Sequence, residues 1–408
     1  MIPKSWKRKR LADVATVQTG IAKGSKRLDD AVELPYLRVA NVQDGYLDLS
    51  ILKKIEIEKK QVERYRLHVG DVLLTEGGDY DKLGRGTVWQ GEIEDCVHQN
   101  HVFIARPKRE IILPQFLSLL TGSSYGKTYF LSCSKQSTNL ASINSSQLKE
   151  FPVFLPTIAE QTAIADLLST WDGFIKRTER LIAAKEKRYW GLVDQSILSP
   201  ARSNPSWNHQ RICDIAERIQ RKSDGGDYPI LTISSASGFV LQKEKYNRFM
   251  AGKSLDDYTL LRRGEFAYNK GNSLRYQFGC IFPLEAYEQA LVPHVYVCFK
   301  PTPGIDVDYL DQLFQSDYLK PQLAALVNTG VRNNGLLNIS PTSFMKVTVP
   351  FPSLGHQRQI AAILTTARRE IDLLKQQIDA VRRQKRGIMQ KLLTGKWRVK
   401  LDKEVQYG

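Results

Sequence analysis

Polar side chains suited to hydrogen-bonding a flat, charged partner recur at matched places along the chain. Glu76-Gly-Gly-Asp79-Tyr80-Asp81-Lys82-Leu-Gly-Arg85 mixes acceptors, cations and an aromatic ring within one loop. Asn269-Lys270-Gly-Asn272-Ser273-Leu-Arg275-Tyr276-Gln277 offers a comparable set later on. Gln136-Ser137-Thr138-Asn139 and Arg332-Asn333-Asn334 form a second matched pair, and Lys23-Gly-Ser25-Lys26-Arg27 adds a cationic loop near the start. Arginine suits guanine, Asn and Gln suit adenine, and a carboxylate accepts from cytosine. Lysines chiefly hold phosphates and set position. The expected contact residues are therefore Lys23, Ser25, Lys26, Arg27, Glu76, Asp79, Tyr80, Lys82, Arg85, Gln136, Thr138 and Asn139. From the later loops come Asn269, Lys270, Asn272, Ser273, Arg275, Tyr276, Gln277, Arg332, Asn333 and Asn334.

Bond-making chemistry finds no comparable constellation. Asn204-Pro205-Ser206-Trp207 is the nearest approach to the Asn-Pro-Pro-Tyr type of an amino-methyltransferase, but it lacks the second proline and sits where a repeat restarts. No glycine-rich loop suited to S-adenosylmethionine follows a strand, and no Walker lysine motif occurs. Asp79-x-x-Lys82 has no acidic partner to frame a nuclease. His98 and His101 lack further ligands; His294 repeats His101 while Leu291 stands in place of His98, which favours a structural or DNA-facing role over a metal. The expectation is a chain with no catalytic residue and no metal ligand of its own.

The elements that must hold these loops are written twice. Phe154-Leu-Pro156-Thr-Ile-Ala-Glu-Gln161-Thr-Ala-Ile164-Ala165 returns as Pro350-Phe-Pro352-Ser-Leu-Gly-His-Gln357-Arg-Gln-Ile360-Ala361. Each copy opens alike, Ser5-Trp6 with Arg10-Leu11-Ala12-Asp13 matching Ser206-Trp207 with Arg211-Ile212-Cys213-Asp214. Gly70-Asp71-Val72 matches Gly264-Glu265-Phe266, and His101-Val102-Phe103 matches His294-Val295-Tyr296 inside alternating apolar stretches that read as strands. A unit this long is a whole domain, not one turn of a solenoid.

Each copy then runs into a long amphipathic segment. Ile164, Leu168, Trp171, Ile175, Thr178, Ile182, Lys185, Tyr189 and Leu192 alternate by four and three, as do Ile360, Leu364, Ala367, Ile371, Leu374, Ile378, Val381, Lys385 and Ile388. That spacing predicts two long helices joined as a coiled coil, with Ile164, Leu168, Trp171, Ile175, Ile182, Ile360, Leu364, Ile371, Leu374, Ile378 and Val381 in the seam. Thr157 with Glu160 predicts a capping box after Pro156, with Ser353 as the matching cap. A helix from about 157 to 198 is roughly 60 Å long at 1.5 Å per residue, and the domain between the two segments permits antiparallel pairing. The expected fold class is α+β: two mixed α/β globular domains held apart by a long antiparallel two-helix coiled coil, as a pseudo-two-fold tandem repeat. Gly395-Lys396-Trp397-Arg398-Val399-Lys400-Leu401 resembles the start of a third copy, so the tail is expected against the first domain.

Bulk composition agrees with a reader of polyanions. The 408 residues carry a formal charge of +16 and a pI ≈ 9.5 at ordinary globular composition, 25% charged and 42% hydrophobic. Such an excess favours nucleic acid over a membrane surface. No run of about 18 apolar residues occurs, so no membrane span is expected. Met1 to Arg10 leads into no apolar stretch and reads as no signal peptide. Cys96, Cys133, Cys213, Cys280 and Cys298 form no Cys-x-x-Cys pair and read as buried thiols of a reducing cytoplasm.

These motifs together resemble the specificity subunit of a type I restriction–modification system. The resemblance rests on Leu155-Pro156-Thr-Ile-Ala-Glu160-Gln161, its echo Phe351-Pro352-Ser-Leu-Gly-His-Gln357, and the Glu76-Gly-Gly-Asp79 to Gly84-Arg85-Gly86 loop. It also rests on Arg386-Gly387-Ile388-Met389-Gln390-Lys391-Leu392-Leu393-Thr394-Gly395-Lys396. The first helix departs at Tyr189-Trp190-Gly191-Leu192-Val193, where the family carries a basic pair before glycine. The resemblance implies target-recognition domains at 1–155 and 200–350, helical spacer regions at 156–199 and 351–397, and a tail at 398–408. It implies a non-catalytic subunit that reads an interrupted sequence in double-stranded DNA, one half per domain. The helices would fix the spacer and dock two modification (methyltransferase) subunits, and restriction subunits would add translocation. S-adenosylmethionine, ATP and magnesium would sit on those partners. Two other readings stay open: an enzyme with concealed nuclease or DNA methyltransferase activity, and a coiled-coil adaptor that binds no DNA.

Overall fold

The computed structural model describes residues 3–22, 30–80, 83–136, 140–246, 255–271, 273–327 and 337–401, without the side chains of residues 79, 136 and 140. The chain divides into two compact units, Met1–Glu179 with Gln377–Gly408, and Arg180–Gln376.

In the first unit, strand Val72–Thr75 is buried along its whole length. Its period of two explains why: Val72 and Leu74 enter one core with Phe103 and Ala105, while Leu73 enters another with Val102, Ile104 and Trp89. A four-stranded antiparallel sheet results, in the order Ala15–Thr19, Val102–Pro107, Val72–Thr75, Gly86–Val88. Lys7–Arg10 pairs with Pro152–Leu155 just ahead of the first long helix.

The second unit repeats this frame. Its four-stranded sheet runs Ala216–Ile219, Val297–Pro301, Phe266–Asn269, Cys280–Pro283, and Asn208–Arg211 pairs with Thr348–Phe351. The core stacks Phe266 on Phe299 at 5.4 Å and Tyr268 on Phe344 at 4.3 Å. The repeated Gly-acid pair now has a reason. Gly70 and Gly264 take φ of +97° and +80°, a conformation glycine alone adopts without strain. The buried acid that follows closes the turn: Asp71 accepts from His68 N–H at 2.8 Å, and Glu265 from Arg262 N–H at 2.7 Å. Each is paired with an arginine at 2.7 Å, Arg106 and Arg221 respectively.

The long helices are Ile158–Val193, continued by a π turn at Asp194–Leu198, and Leu354–Leu393. Of the residues expected in a seam, Ile164, Leu168, Ile182, Ile360, Leu364, Ile371 and Ile378 are buried, while Trp171, Ile175, Leu374 and Val381 are half-buried. In the first unit Asp172 pairs with Lys385 and Glu179 with Arg382. In the second unit Lys185 pairs with Glu370 at 2.6 Å and Glu186 with Lys375 at 2.7 Å.

Both helix starts are tied down by the repeated glutamine. Gln161 is fully buried; its Nε2 donates to the carbonyls of Ile111 at 3.0 Å and Pro156 at 3.1 Å, and its Oε1 accepts from Leu113 N–H at 2.9 Å. Gln357 donates to the Pro352 carbonyl at 2.9 Å and accepts from Asp306 N–H at 3.0 Å.

The expected capping box is only half formed. Thr157 Oγ1 accepts from Glu160 N–H at 3.3 Å, as a cap should. The Glu160 carboxylate does not return to the cap. It accepts instead from Trp6 Nε1 at 3.2 Å and from Arg398, whose Nη2 lies at 2.8 Å and whose Nη1 also reaches Ser5 Oγ at 3.3 Å. Residues 402–408 lie outside the described residues. The cysteine reading also needs correction: Cys96, Cys280 and Cys298 are buried, but Cys133 is half-buried and Cys213 is exposed, because it sits on the outer side of the short helix Ile212–Ile215. Among the described residues no helix is long and apolar enough to cross a membrane.

Candidate nucleic-acid interface

In the first unit the structure joins two loops that the sequence separates. Strand Gly77–Asp79 pairs with Leu140–Ser142, which pairs back on Lys135–Gln136, so the arms around 136–139 stand beside the Glu76 loop. Gly77 allows this close pairing, since a Cβ there would press on the Ala141 carbonyl at 3.0 Å. Gly84 is required: it holds φ +65°, and a Cβ would strike the Phe130 ring at 2.4 Å.

The side chains here are held in different degrees. Glu76 is fixed through its backbone, donating to the His101 carbonyl at 2.9 Å and accepting from Ile143 N–H at 2.9 Å. Its carboxylate meets His101 Nδ1, and Asn100 Nδ2 approaches His101 Nε2 at 3.3 Å. Arg85 spends one guanidinium nitrogen on the Val39 carbonyl at 3.3 Å, and its buried Nε has no partner among the described residues. Tyr80 is exposed. The backbones of Asp79 and Gln136 lie in paired strands, while Lys23, Ser25, Lys26, Arg27, Lys82, Thr138 and Asn139 lie outside the described residues.

His98 is a core residue rather than a ligand. Its Nδ1 bonds the Val102 carbonyl at 2.7 Å, and burial pushes the imidazole down to about 4, so it stays neutral. Among the described residues no group of three or more His, Cys, Asp or Glu could hold a metal ion.

The second unit presents the Asn269–Gln277 loop on a hydrogen-bonded frame. Asn269 Oδ1 accepts from Gly271 N–H at 3.0 Å, and Ser273 Oγ accepts from Tyr276 N–H at 3.0 Å. Lys270 Nζ reaches the Ile339 carbonyl at 3.4 Å, and Leu337 N–H donates to the Lys270 carbonyl at 3.0 Å. That last bond brings the chain just beyond Arg332, Asn333 and Asn334 against the loop, although those three and Asn272 lie outside the described residues.

Tyr276 was expected among the contact residues and is not available to be one. It is 3% exposed, sits in the core, and donates its hydroxyl to the Gln315 carbonyl at 3.4 Å. It anchors the loop from beneath, with the Arg275 guanidinium 5.1 Å from its ring. What it holds outward is Arg275, Gln277 and Leu274, the last 106% exposed. Leu274 and Asn100 are candidates that the sequence reading did not name, and they join His101, already read as structural or DNA-facing; an apolar residue flanked by Ser273 and Arg275 was the available signal for Leu274.

A second surface lies on the helices of the same unit. Lys185, Arg188, Tyr189 and Leu192 face Ala362, Ile363, Thr366, Ala367 and Glu370 across a groove of about 440 Å³.

Comparison with known proteins follows the same twofold division. The model of the type I restriction modification DNA specificity domain matches residues 3–186 and again 207–383. A Methanocaldococcus jannaschii chain, provisionally named the type I restriction enzyme MjaX specificity subunit, is 24% identical across 98% of this chain and 95% of its own. The Escherichia coli type I restriction enzyme EcoBI specificity subunit is 28% identical across 49% of this chain and 42% of its own. Among solved structures, the S subunit of a type I restriction-modification system from M. genitalium superposes with TM-score 0.53 at 14% identity, covering 98% of this chain and 97% of its own. A chain from a study of complex assembly and conformational transition of the type I R-M system gives TM-score 0.55 at 13% identity, over 97% and 100%. At such identity these two structures speak for the fold. Matched twice and over most of its length, the chain belongs to the type I restriction modification DNA specificity family.

Proposed function

We propose that this chain is the sequence-reading subunit of a type I restriction–modification complex. One observation carries the reading: a DNA specificity domain matched twice, each match framing its own polar loop set. The charge of +16 supports a phosphate-rich partner. Each recognition domain, 1–155 and 200–350, takes one half of an interrupted target in double-stranded DNA. Contacts come from Glu76, Arg85 and their neighbours in the first copy, and from Lys270, Ser273, Arg275 and Gln277 in the second.

The segments 156–199 and 351–397 act as an antiparallel two-helix coiled coil that sets the spacer, and the start of the tail, at Arg398, packs near the first domain. The four ion pairs, whose partner numbers on the second helix are high where those on the first are low, support that direction. Two modification subunits dock on the helices, and restriction subunits complete the complex. The transferred methyl group, ATP and magnesium belong to those partners in this reading, and the chain itself catalyses nothing. Its place of action is the cytoplasm.

The test is a selection from random-sequence duplexes with the purified full chain at two salt concentrations. The expected result is a two-part motif with a constant gap, bound with an affinity that falls steeply with salt. A single contiguous motif, or a flat salt response, overturns the reading.

A further inference from the structure

The second unit buries a carboxylate that the loops do not touch. Asp311 lies in helix Val307–Gln315, and Gln315 Nε2 donates to both of its carboxylate oxygens at 2.6 Å. Arg368, from the second long helix, stands 3.9 Å from Asp311 Oδ2. Tyr189, from the first long helix, donates its hydroxyl to Gln312 Oε1 at 2.7 Å, and Gln312 Nε2 turns back to Asp311 at 3.4 Å. On the other side, the Gln315 carbonyl receives the Tyr276 hydroxyl that anchors the loop. A continuous polar path therefore runs, within this unit, from the loop at Arg275 and Tyr276 to both helices.

Among the described residues the first copy shows no matching buried carboxylate. Its matching helix, Pro114–Gly122, follows the residue held by Gln161 just as Val307–Gln315 follows the residue held by Gln357. It carries Ser118 in place of Asp311 and enters an apolar core through Leu117 and Leu120, with Ile164, Leu168 and Leu393.

Holding a charge at this place is unfavourable. Burial pushes the Asp311 carboxyl up to about 6, against the pull of Gln315 and Arg368, and the like charges of Glu285 and Asp308 push the same way. Burial also keeps Tyr189 and Tyr276 neutral, and Arg275 lies beyond Tyr276. The buried Gln315 Oε1 has no partner among the described residues, although a neutral acid could donate to it. A packed, uncharged residue would suit stability better.

We propose that Asp311 is a positioning residue for recognition by the second copy: its charge holds Gln315 and Arg368 so that Tyr276 is seated and Arg275 keeps its aim. The proposal rests on the DNA-reading function above. Neutralising Asp311 loosens the end of helix Val307–Gln315, and the loop loses its fixed direction while the unit stays folded.

The experiment uses the full chain, wild type and Asp311→Asn, in selections from random-sequence duplexes at pH 7.5 and pH 5, with thermal melting alongside. At pH 7.5 the variant melts higher than wild type, yet its preference for one half of the two-part motif falls about tenfold. The other half and the gap are unchanged. Wild type at pH 5 shows the same loss at that half, and the variant reads that half alike at both pH values. A variant that reads both halves normally overturns the proposal, as does one that melts lower and loses both. If the variant does not fold, the wild-type comparison decides: equal reading at both pH values overturns it. A wild-type selection at pH 7.5 without any two-part motif instead overturns the DNA-reading function, and this proposal with it.

Discussion

Replacing Gln161 by leucine tests whether the repeated glutamine is a structural clasp. The change keeps side-chain bulk but strands the carbonyls of Ile111 and Pro156 and the N–H of Leu113. A buried polar group left without a partner costs about 1–3 kcal/mol. Only the Pro156 bond is wholly buried, so water recovers part of the other two, and about 3 kcal/mol is expected in total. Gln357→Leu strands one carbonyl and one N–H, those of Pro352 and Asp306, for about 2 kcal/mol. At roughly 2–4 °C per kcal/mol for a unit of this size, the first change lowers one melting transition by about 10 °C. Peptide-resolved hydrogen exchange on the full chain is the assay. Gln161→Leu should release protection around 111–113 and 156–165, and Gln357→Leu around 306 and 352–361. A cost below about 1 kcal/mol for both variants, or protection lost equally in both units, refutes the clasp.

Three further outcomes are expected. Because the His98 imidazole titrates near 4 when folded and near 6.5 when unfolded, the unfolded state takes the proton first, and stability of the first unit falls as pH drops between those values. Denaturant midpoints from pH 7 to pH 4 should show a loss approaching 3 kcal/mol, which His98→Gln removes; an unchanged slope in that variant counts against it. Cys213 should take up a maleimide fastest, since it is exposed while burial pushes Cys96 and Cys298 up to about 12 and Cys280 to about 11; a fast phase that survives Cys213→Ala contradicts the structure. Leu274→Ala and Arg275→Ala should each leave stability within about 0.5 kcal/mol and weaken selection at one half-site alone; equal weakening of both halves speaks against independent readers.

The duplication was legible in repeated segments such as Gln161 and Gln357 with their neighbours, and the long helices in the local spacing of apolar residues. The order of strands in the two sheets was not legible: Val72, Leu73 and Leu74 are all apolar, and only their pairing partners far along the chain show that both faces of the strand are buried. What stayed hidden depends on partners far along the chain. Gln161 and Gln357 stood out as repeated letters, but their roles require Leu113 and Asp306, which no periodicity connects to them. Glu160 looked like a capping acid because local sequence offers only the cap, whereas Trp6 and Arg398 compete for it and prevail. Tyr276 fitted the loop by polarity and left it by size, since an aromatic ring contributes more by burial than by exposure. Asp311 could not be foreseen, because a charged residue in an amphipathic helix is ordinarily assigned to the solvent side.

The core of the first unit draws on both sides of the second in chain order: Trp6, Ile164 and Leu168 share it with Leu392 and Leu393. Ribosomes deliver residues in sequence, at roughly 5–20 per second. The early part of this core therefore waits on the order of 10–40 seconds while Arg180–Gln376 is synthesised. The second unit has all its own residues first, so the domain that begins translation is the later of the two to close. A nascent chain passes through a stage with one finished lobe and one apolar surface still uncovered, and its vulnerability to proteases and aggregation should be concentrated in that interval.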